Sequence, residues 1–207
     1  YTSLGNCSIK DSSITAVHFD NKEKIFVAYQ SYSSFKGIVI FNTKFEKLQQ
    51  LEIGQVNDKP FIHAKSITTN VNDDICIIDE PSKGGALSKG EEPAKGEGRL
   101  VVFNKSVQFR WEFAGPDDGT KGFYPEQIAT SSKGYIFISD KMNNRVYMLS
   151  KDGHLLGKIG ETDGIEQPSG LAVNKKNQLF VGCPGKLHIV EIQEDSDLTN
   201  GNSDVTK

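Results

Sequence analysis

The stretch from Ile136 to Gly160, IFISDKMNNRVYMLSKDGHLLGKIG, decides the fold. It holds three short runs rich in β-branched and aromatic residues: IFISD, RVYML and HLLGKI. An Asn143-Asn144 turn separates the first two, and Asp152-Gly153 separates the last two. Short runs of this kind, bounded by turn formers, make strands rather than helices. No segment of the chain carries a convincing helical period.

Working outward, the same phrase recurs with decay in four units. The first reads ITAVHFDNKEKIFVAYQ and then GIVIFNTKFEKLQQLEIG, from Ile14. The second reads KSITTNVNDDICIIDE, from Lys65, and resumes after an interruption as GRLVVFNKSVQFRWEFAG. The third starts at Glu126 and contains the opening stretch, and the fourth runs SGLAVNKKNQLFVGC, GKLHIVEI from Ser169. Each unit has a small apolar strand, a polar turn, a stronger second strand and a third strand. The first three add a fourth, alternating strand (KLQQLEI, QFRWEF, HLLGKI). The second strand is the most apolar, as burial on both sides requires, while the third is more mixed and the fourth has one side in solvent. Four antiparallel strands repeated about every 40–45 residues mark a β-propeller blade. The expected fold is therefore all-β, a propeller with about four blades.

PEQIATSSKGYIFISDKMNNRVYMLSKDGHLLGKIG, residues 125–160, resembles an NHL repeat: Pro, a small strand, a glycine-marked turn, and an apolar alternation ending in Asp. Asn-x-Arg, an aspartyl-glycine turn and a closing Gly then follow. The third unit matches best, the fourth keeps three strands, and the first two diverge. The order of units, with a degenerate blade, a split blade, a good blade and a final LFVGCPGKLHIVEI, resembles the C-terminal NHL propeller of tripartite-motif proteins. That family's rings are six-bladed. The chain opens on Tyr1 rather than Met, so the resemblance leads us to expect one or two earlier blades outside it and an open arc within it. The expected boundaries are a stray strand or linker over 1–13 and blades over 14–57, 58–120, 121–165 and 166–192. A flexible insertion occupies 80–98 and a disordered polar tail 193–207. The insertion is rich in Gly, Lys and Glu and too poor in apolar residues to order itself. Its SKGGALSKGEE lacks the order of a phosphate-binding loop.

Composition excludes several functions. The chain has 207 residues, 36% hydrophobic and 25% charged, with a net charge of −3 and a pI near 5.8. No overall basic field draws it to nucleic acid or anionic membrane, and no apolar run is long enough for a membrane helix. Cys7, Cys76 and Cys183 form no metal-like spacing with the four histidines, His18, His63, His154 and His188. Cys76 and Cys183 read as buried, reduced thiols, which fits a cytoplasmic setting. No GxSxG elbow is present, and no base adjoins Cys183. We expect no enzyme activity in this chain, no cofactor and no metal.

Asp140 and its counterpart Asp79, with Arg145, Asp152 and Gly153, read as structural turn residues. Arg145 is expected to fold over the turn onto Asp140, and Asp152-Gly153 to form a type I′ turn. Asn42-Thr43 and Asn104-Lys105 fill that slot in the earlier units. Gln30 and Pro184 stand where the other units carry the acid, so no ring of acids forms. Binding then falls to loops on one face of the array: Gln30 to Lys36, the insertion, Lys141 to Asn144, and the links between blades. Tyr32, Phe35, Phe123, Tyr124, Lys141, Asn143 and Asn144 are the candidate partner-binding residues. Phe123 and Tyr124 are equally readable as seals between blades.

By resemblance, this is the protein-binding, substrate-recognising end of a tripartite-motif ubiquitin ligase. The zinc-binding RING and B-boxes would lie upstream, and any homo-oligomer would form through such upstream regions. The alternative is an RNA-binding propeller acting in post-transcriptional regulation. The acids Asp117, Asp118, Glu161 and Asp163 in the blade links count against it.

Overall fold

The computed structural model describes residues 8–32, 35–80, 98–120 and 122–192. Most of the 80–98 insertion, the 193–207 tail and residues 1–7 lie outside the described residues.

The described chain is a succession of antiparallel sheets. Blade 1 comprises β1 (Ser12–Phe19), β2 (Lys24–Ser31), β3 (Lys36–Asn42) and β4 (Lys47–Glu52). A short hairpin, β5 (Gln55–Val56) and β6 (Lys59–Pro60), leads into blade 2. Blade 2 holds β7 (Ala64–Thr69), β8 (Ile75–Asp79), β9 (Arg99–Phe103) and β10 (Phe109–Phe113). Blade 3 holds β11 (Pro125–Thr130), β12 (Ile136–Asp140), β13 (Arg145–Leu149) and β14 (Leu155–Ile159). The fourth sheet has three strands, β15 (Gly170–Val173), β16 (Gln178–Cys183) and β17 (Lys186–Glu191). The first strands β1, β7, β11 and β15 neighbour one another along one side of the array.

Side-chain alternation explains why these sheets must stack. In β8, Ile75 and Ile77 pack against Phe26, Ala28, Ile38 and Ile40 of blade 1. The intervening Cys76 and Ile78 pack the other way, against Ile128, Ile136, Ile138 and Tyr147 of blade 3. A period of two thus sends one strand's side chains into two separate cores. A third core joins Phe137 and Val146 of blade 3 to Leu179 and Val181 of the fourth sheet. The third strands of blades 1 and 2 are less mixed than the sequence indicates, every residue of β9 being buried and β3 being buried except at its ends, while β13 and β17 are mixed as expected. The central place of β3 and β9 in their sheets gives them neighbours on both faces. The fourth strands β4, β10 and β14 keep an exposed side. Cys76 is buried, and burial pushes its thiol up; Cys183 is only half-buried.

Seven hairpins at one end of the blades share a single construction. A residue i, one of Asp20, Asn42, Asn70, Asn104, Ser131, Ser150 and Asn174, exchanges backbone hydrogen bonds with residues i+3 and i+4 or with i+4 alone. Its side-chain oxygen accepts from the backbone N–H of i+4, and in all but Ser131 also from that of i+2. Residue i+3 takes a left-handed conformation, from Asn177 at φ 58° to Gly134 and Gly153 at φ 92°. Asp152 keeps a negative φ, so the Asp152-Gly153 turn is not type I′; it is a type I turn closed by one left-handed residue. Asn42 and Asn104 correspond to Ser150, not to Asp152. The type I′ geometry lies instead at Asn57 and Asp58, both left-handed (φ 53° and 58°), between the paired Val56 and Lys59. At Gly153 a Cβ would stand 2.8 Å from the Trp111 ring, so the neighbouring blade also requires glycine there.

Candidate functional site

Antiparallel order sends every second-to-third-strand loop and every link between blades to the end opposite those hairpins. Hydrogen bonds tie the two kinds of segment together on this loop face. Glu80 N donates to His63 O (3.0 Å), Lys141 N to Tyr124 O (3.2 Å), and Gln167 N to Asn144 Oδ1 (2.8 Å).

The anchors are the carboxylates that end the second strands. Asp79, 3% exposed, accepts from the backbone N–H of Ile62 (2.8 Å) and His63 (2.9 Å). Arg99 lies across the ladder from it and donates through Nε at 3.0 Å. The same guanidinium reaches Glu112 Oε2 (2.8 Å), Val56 O (3.3 Å) and Pro60 O (2.9 Å). One buried cation therefore binds the β5–β6 hairpin, β8 and β10 together. Glu112 also accepts from Lys59 (2.8 Å). Although burial works to raise its carboxyl, the donors Lys59 and Asn57 hold it below its ordinary value.

Blade 3 departs from the expectation. Asp140 is fully buried, but Arg145 does not close onto it. Asp140 instead accepts from the side-chain amide of Asn143 (2.7 Å) and from the backbone N–H of Asn143 and Tyr124 (3.3 Å each). Arg145 turns outward to Thr120 Oγ1 (2.7 Å) and Asp118 (3.6 Å). The short Asn143 side chain fills the carboxylate before the longer arginine can reach it. Without a cation in contact, burial raises the Asp140 carboxyl above its ordinary value, against the lowering by its N–H donors. Asp118 moves the other way, held low by Lys158 (2.6 Å) and Thr120. In the fourth sheet the position equivalent to Asp140 is Cys183, paired across the ladder with Lys186, rather than Pro184.

The seven candidate residues do not share one environment. Tyr32 and Phe35 are exposed, 78% and 56%, on the loop between β2 and β3. Phe123 is not an exposed anchor: at 2% exposure it seals the seam between blades 2 and 3. Its ring meets Phe113 edge-on at 5.4 Å and Tyr147 at 5.9 Å. Tyr124 and Lys141 are half-buried. Asn143 donates to Gly122 O (3.0 Å) and Asp140, and the left-handed Asn144 (φ 54°) holds Gln167, so both work as loop struts. Beside Phe123 the sequence reading missed a cavity of about 500 Å³ lined by Lys59, Pro60, Ile62, Arg99, Pro116 and Thr120. Its sequence signal was Arg99 aligning with Arg145, as Asp79 aligns with Asp140.

The histidines do not converge. His18 Nε2 meets Thr69 Oγ1 at 3.1 Å, while His63 lies in the link before β7 and His188 on β17. Burial lowers the pKa of His18 and of His63. Among the described residues no group of three or more His, Cys, Asp or Glu side chains is placed to hold a metal ion, and no helix is long and apolar enough to cross a membrane.

No protein-family model matches the chain. It is 31% identical over 96 residues to the E3 ubiquitin-protein ligase TRIM56 of Mus musculus, a match covering 45% of this chain and 13% of that protein. Two solved structures share its architecture. A protein of unknown function from Bacteroides caccae superposes with a TM-score of 0.57 at 12% identity, covering 85% of this chain and 58% of that one. BamB from Moraxella catarrhalis superposes with a TM-score of 0.52 at 14% identity, covering 83% of this chain and 40% of that one. At such identities the structural likeness speaks to the fold alone. With the repeat pattern it supports an NHL-like β-propeller architecture, and over 45% of its length the chain is similar to a tripartite-motif ubiquitin ligase.

Proposed function

We propose that the chain is a protein-binding module, serving as the substrate-recognition end of a tripartite-motif ubiquitin ligase, and that its loop face takes the partner. The observation that carries this reading is the exposure of two aromatics, Tyr32 and Phe35, on the loop face. Tyr32 and Phe35 project from a hairpin whose base is fixed by Ser31 N donating to Phe35 O (2.7 Å) and Tyr32 N to Asp11 O (2.8 Å). Aromatic side chains on an ordered backbone lose little entropy on binding and dominate interface hot spots. The similarity to a ubiquitin ligase supports the same class of partner. Acids on the face, Asp117, Asp118, Glu161 and Asp163, oppose the RNA alternative.

The test is proximity labelling in cells with the intact parent protein and its Tyr32→Ala/Phe35→Ala variant. The reading expects a discrete set of labelled proteins that is lost in the variant, and ubiquitin attached to at least one of them only with the unaltered face. An unchanged set overturns it. So does submicromolar, salt-sensitive retention of RNA on filters at two salt concentrations.

A further inference from the structure

We propose that a groove on the hairpin face, between blades 1 and 2, docks an acidic peptide segment of another protein in which an apolar residue is flanked by Asp or Glu. The site is on the opposite end of the blades from Tyr32 and Phe35 and stands independently of their role.

The two seams on this face differ at equivalent positions. Between blades 2 and 3, Arg110 of β10 pairs with Asp74 and reaches Asp152 of the next blade (3.3 Å). Asn70 adds a hydrogen bond to Lys151 O (3.4 Å). This Asp-Arg-Asp bridge closes the seam. The shared hairpin construction aligns the blades: Asn42 with Asn104, Asp20 with Asn70, and Asn104 with Ser150. On that alignment Leu48 replaces Arg110, Lys24 replaces Asp74, and Ser106 replaces Asp152. Between blades 1 and 2 the bridging cation has become apolar, one acid has become a cation and the other is neutral.

A groove with a small excess of positive charge results, crossed between the blades by the Lys22–Asp73 ion pair. Its cavity, about 120 Å³, has an apolar wall of Phe26, Ile40, Ile75 and Leu48 and carries Lys22, Lys24 and Lys105 at its margin. Leu48 is 52% exposed. The local acids are already engaged. Asp73 holds Lys22, and the buried Asp20 accepts from the backbone N–H of Lys22 and Lys24. Among the described residues no carboxylate pairs with Lys24 or Lys105, and both are exposed. A volume of this order suits one side chain rather than a cofactor. The apolar wall asks for a hydrophobic side chain, and the two unpaired ammonium groups ask for carboxylates beside it. A polyanion without an apolar group would leave Leu48 and the wall uncovered.

The experiment uses fluorescence anisotropy with the full chain and a labelled peptide carrying one leucine between glutamates. The matching peptide with glutamines in their place serves as its control. We expect the glutamate peptide to bind and the glutamine peptide to bind at least about tenfold more weakly. Lys24→Glu/Lys105→Glu should weaken the glutamate peptide by a similar factor. Transplanting the closed seam with Lys24→Asp/Leu48→Arg/Ser106→Asp should abolish binding without lowering the thermal midpoint, which separates loss of the site from loss of the fold. Tyr32→Ala/Phe35→Ala should leave this binding unchanged, so failure here and failure of the loop-face reading are distinguishable. Equal binding of both peptides, unchanged binding by the lysine variant, or tighter binding of a single-stranded RNA oligonucleotide at the same lysines would overturn the proposal.

Discussion

Asp79 with Arg99 in blade 2, and Asp140 with Arg145 in blade 3, are the same two residue types at the same cross-strand register. They behave differently. Arg99 is buried and bonded to two carboxylates and two carbonyls; Arg145 is half-buried and leaves its acid to an asparagine. The neighbours decide the outcome. The β5–β6 hairpin surrounds Arg99 with acceptors at Val56 and Pro60, whereas Asn143 occupies Asp140 from within its own loop. Register therefore selects which residues can meet, and the adjoining loops select which of them do.

The comparison breaks most severely at Arg99. Arg99→Ala removes the cation paired with the buried Asp79 and should cost about 3–5 kcal/mol in urea unfolding. The double variant Arg99→Ala/Asp79→Ala should be less destabilised than the sum of its singles by roughly 1–3 kcal/mol. Asn143→Ala should cost about 1–3 kcal/mol, because it removes the side-chain donor, one of three N–H donors, from a buried carboxylate. Arg145→Ala should cost less than about 1 kcal/mol, as expected of a solvent-screened pair. A cost for Arg145→Ala equal to that of Arg99→Ala would erase the distinction.

Acid sharpens it further, with the smallest effect. Burial raises the folded-state pKa of Asp140 above its unfolded value, so its protonated form is the one that folding favours. The stability of the unaltered chain relative to Asp140→Asn should rise as pH falls through that raised pKa and decline as pH rises through it. Urea midpoints at neutral pH and at about pH 4 measure the difference. A relative stability that falls on acidification would mean that the carboxylate is stabilised as the anion, through Arg145 or otherwise.

Much of the fold was legible because it depends on local pattern. Runs such as ICIID and IFISD announce two-sided burial, and the repeat of strand and turn announces stacking. The misreadings arose in local turn geometry, as at Asp152-Gly153, and where a side chain finds its partner in another segment. Phe123 is readable from sequence as an anchor or as a seal, and the rings of Phe113 and Tyr147 around it decide for the seal. Arg145 has Asp140 in register, yet its partners Thr120 and Asp118 come from the preceding link. The hairpins were partly legible: Asp, Asn or Ser at i marks them, but Phe45 and Val107 hold the left-handed position without any sequence sign of it. The substitution of Lys24 and Leu48 for Asp74 and Arg110 was present in the sequence, but it had no meaning until the seams could be compared.

The central claim, that the loop face recognises a protein, is tested most directly by photocrosslinking from position 32 of the intact parent protein in cells. A photoreactive phenylalanine there should give discrete protein adducts, and the same group at Lys141, half-buried on that face, should give fewer of them. Adducts to RNA at position 32, or no adduct there while the protein remains folded, would contradict the account.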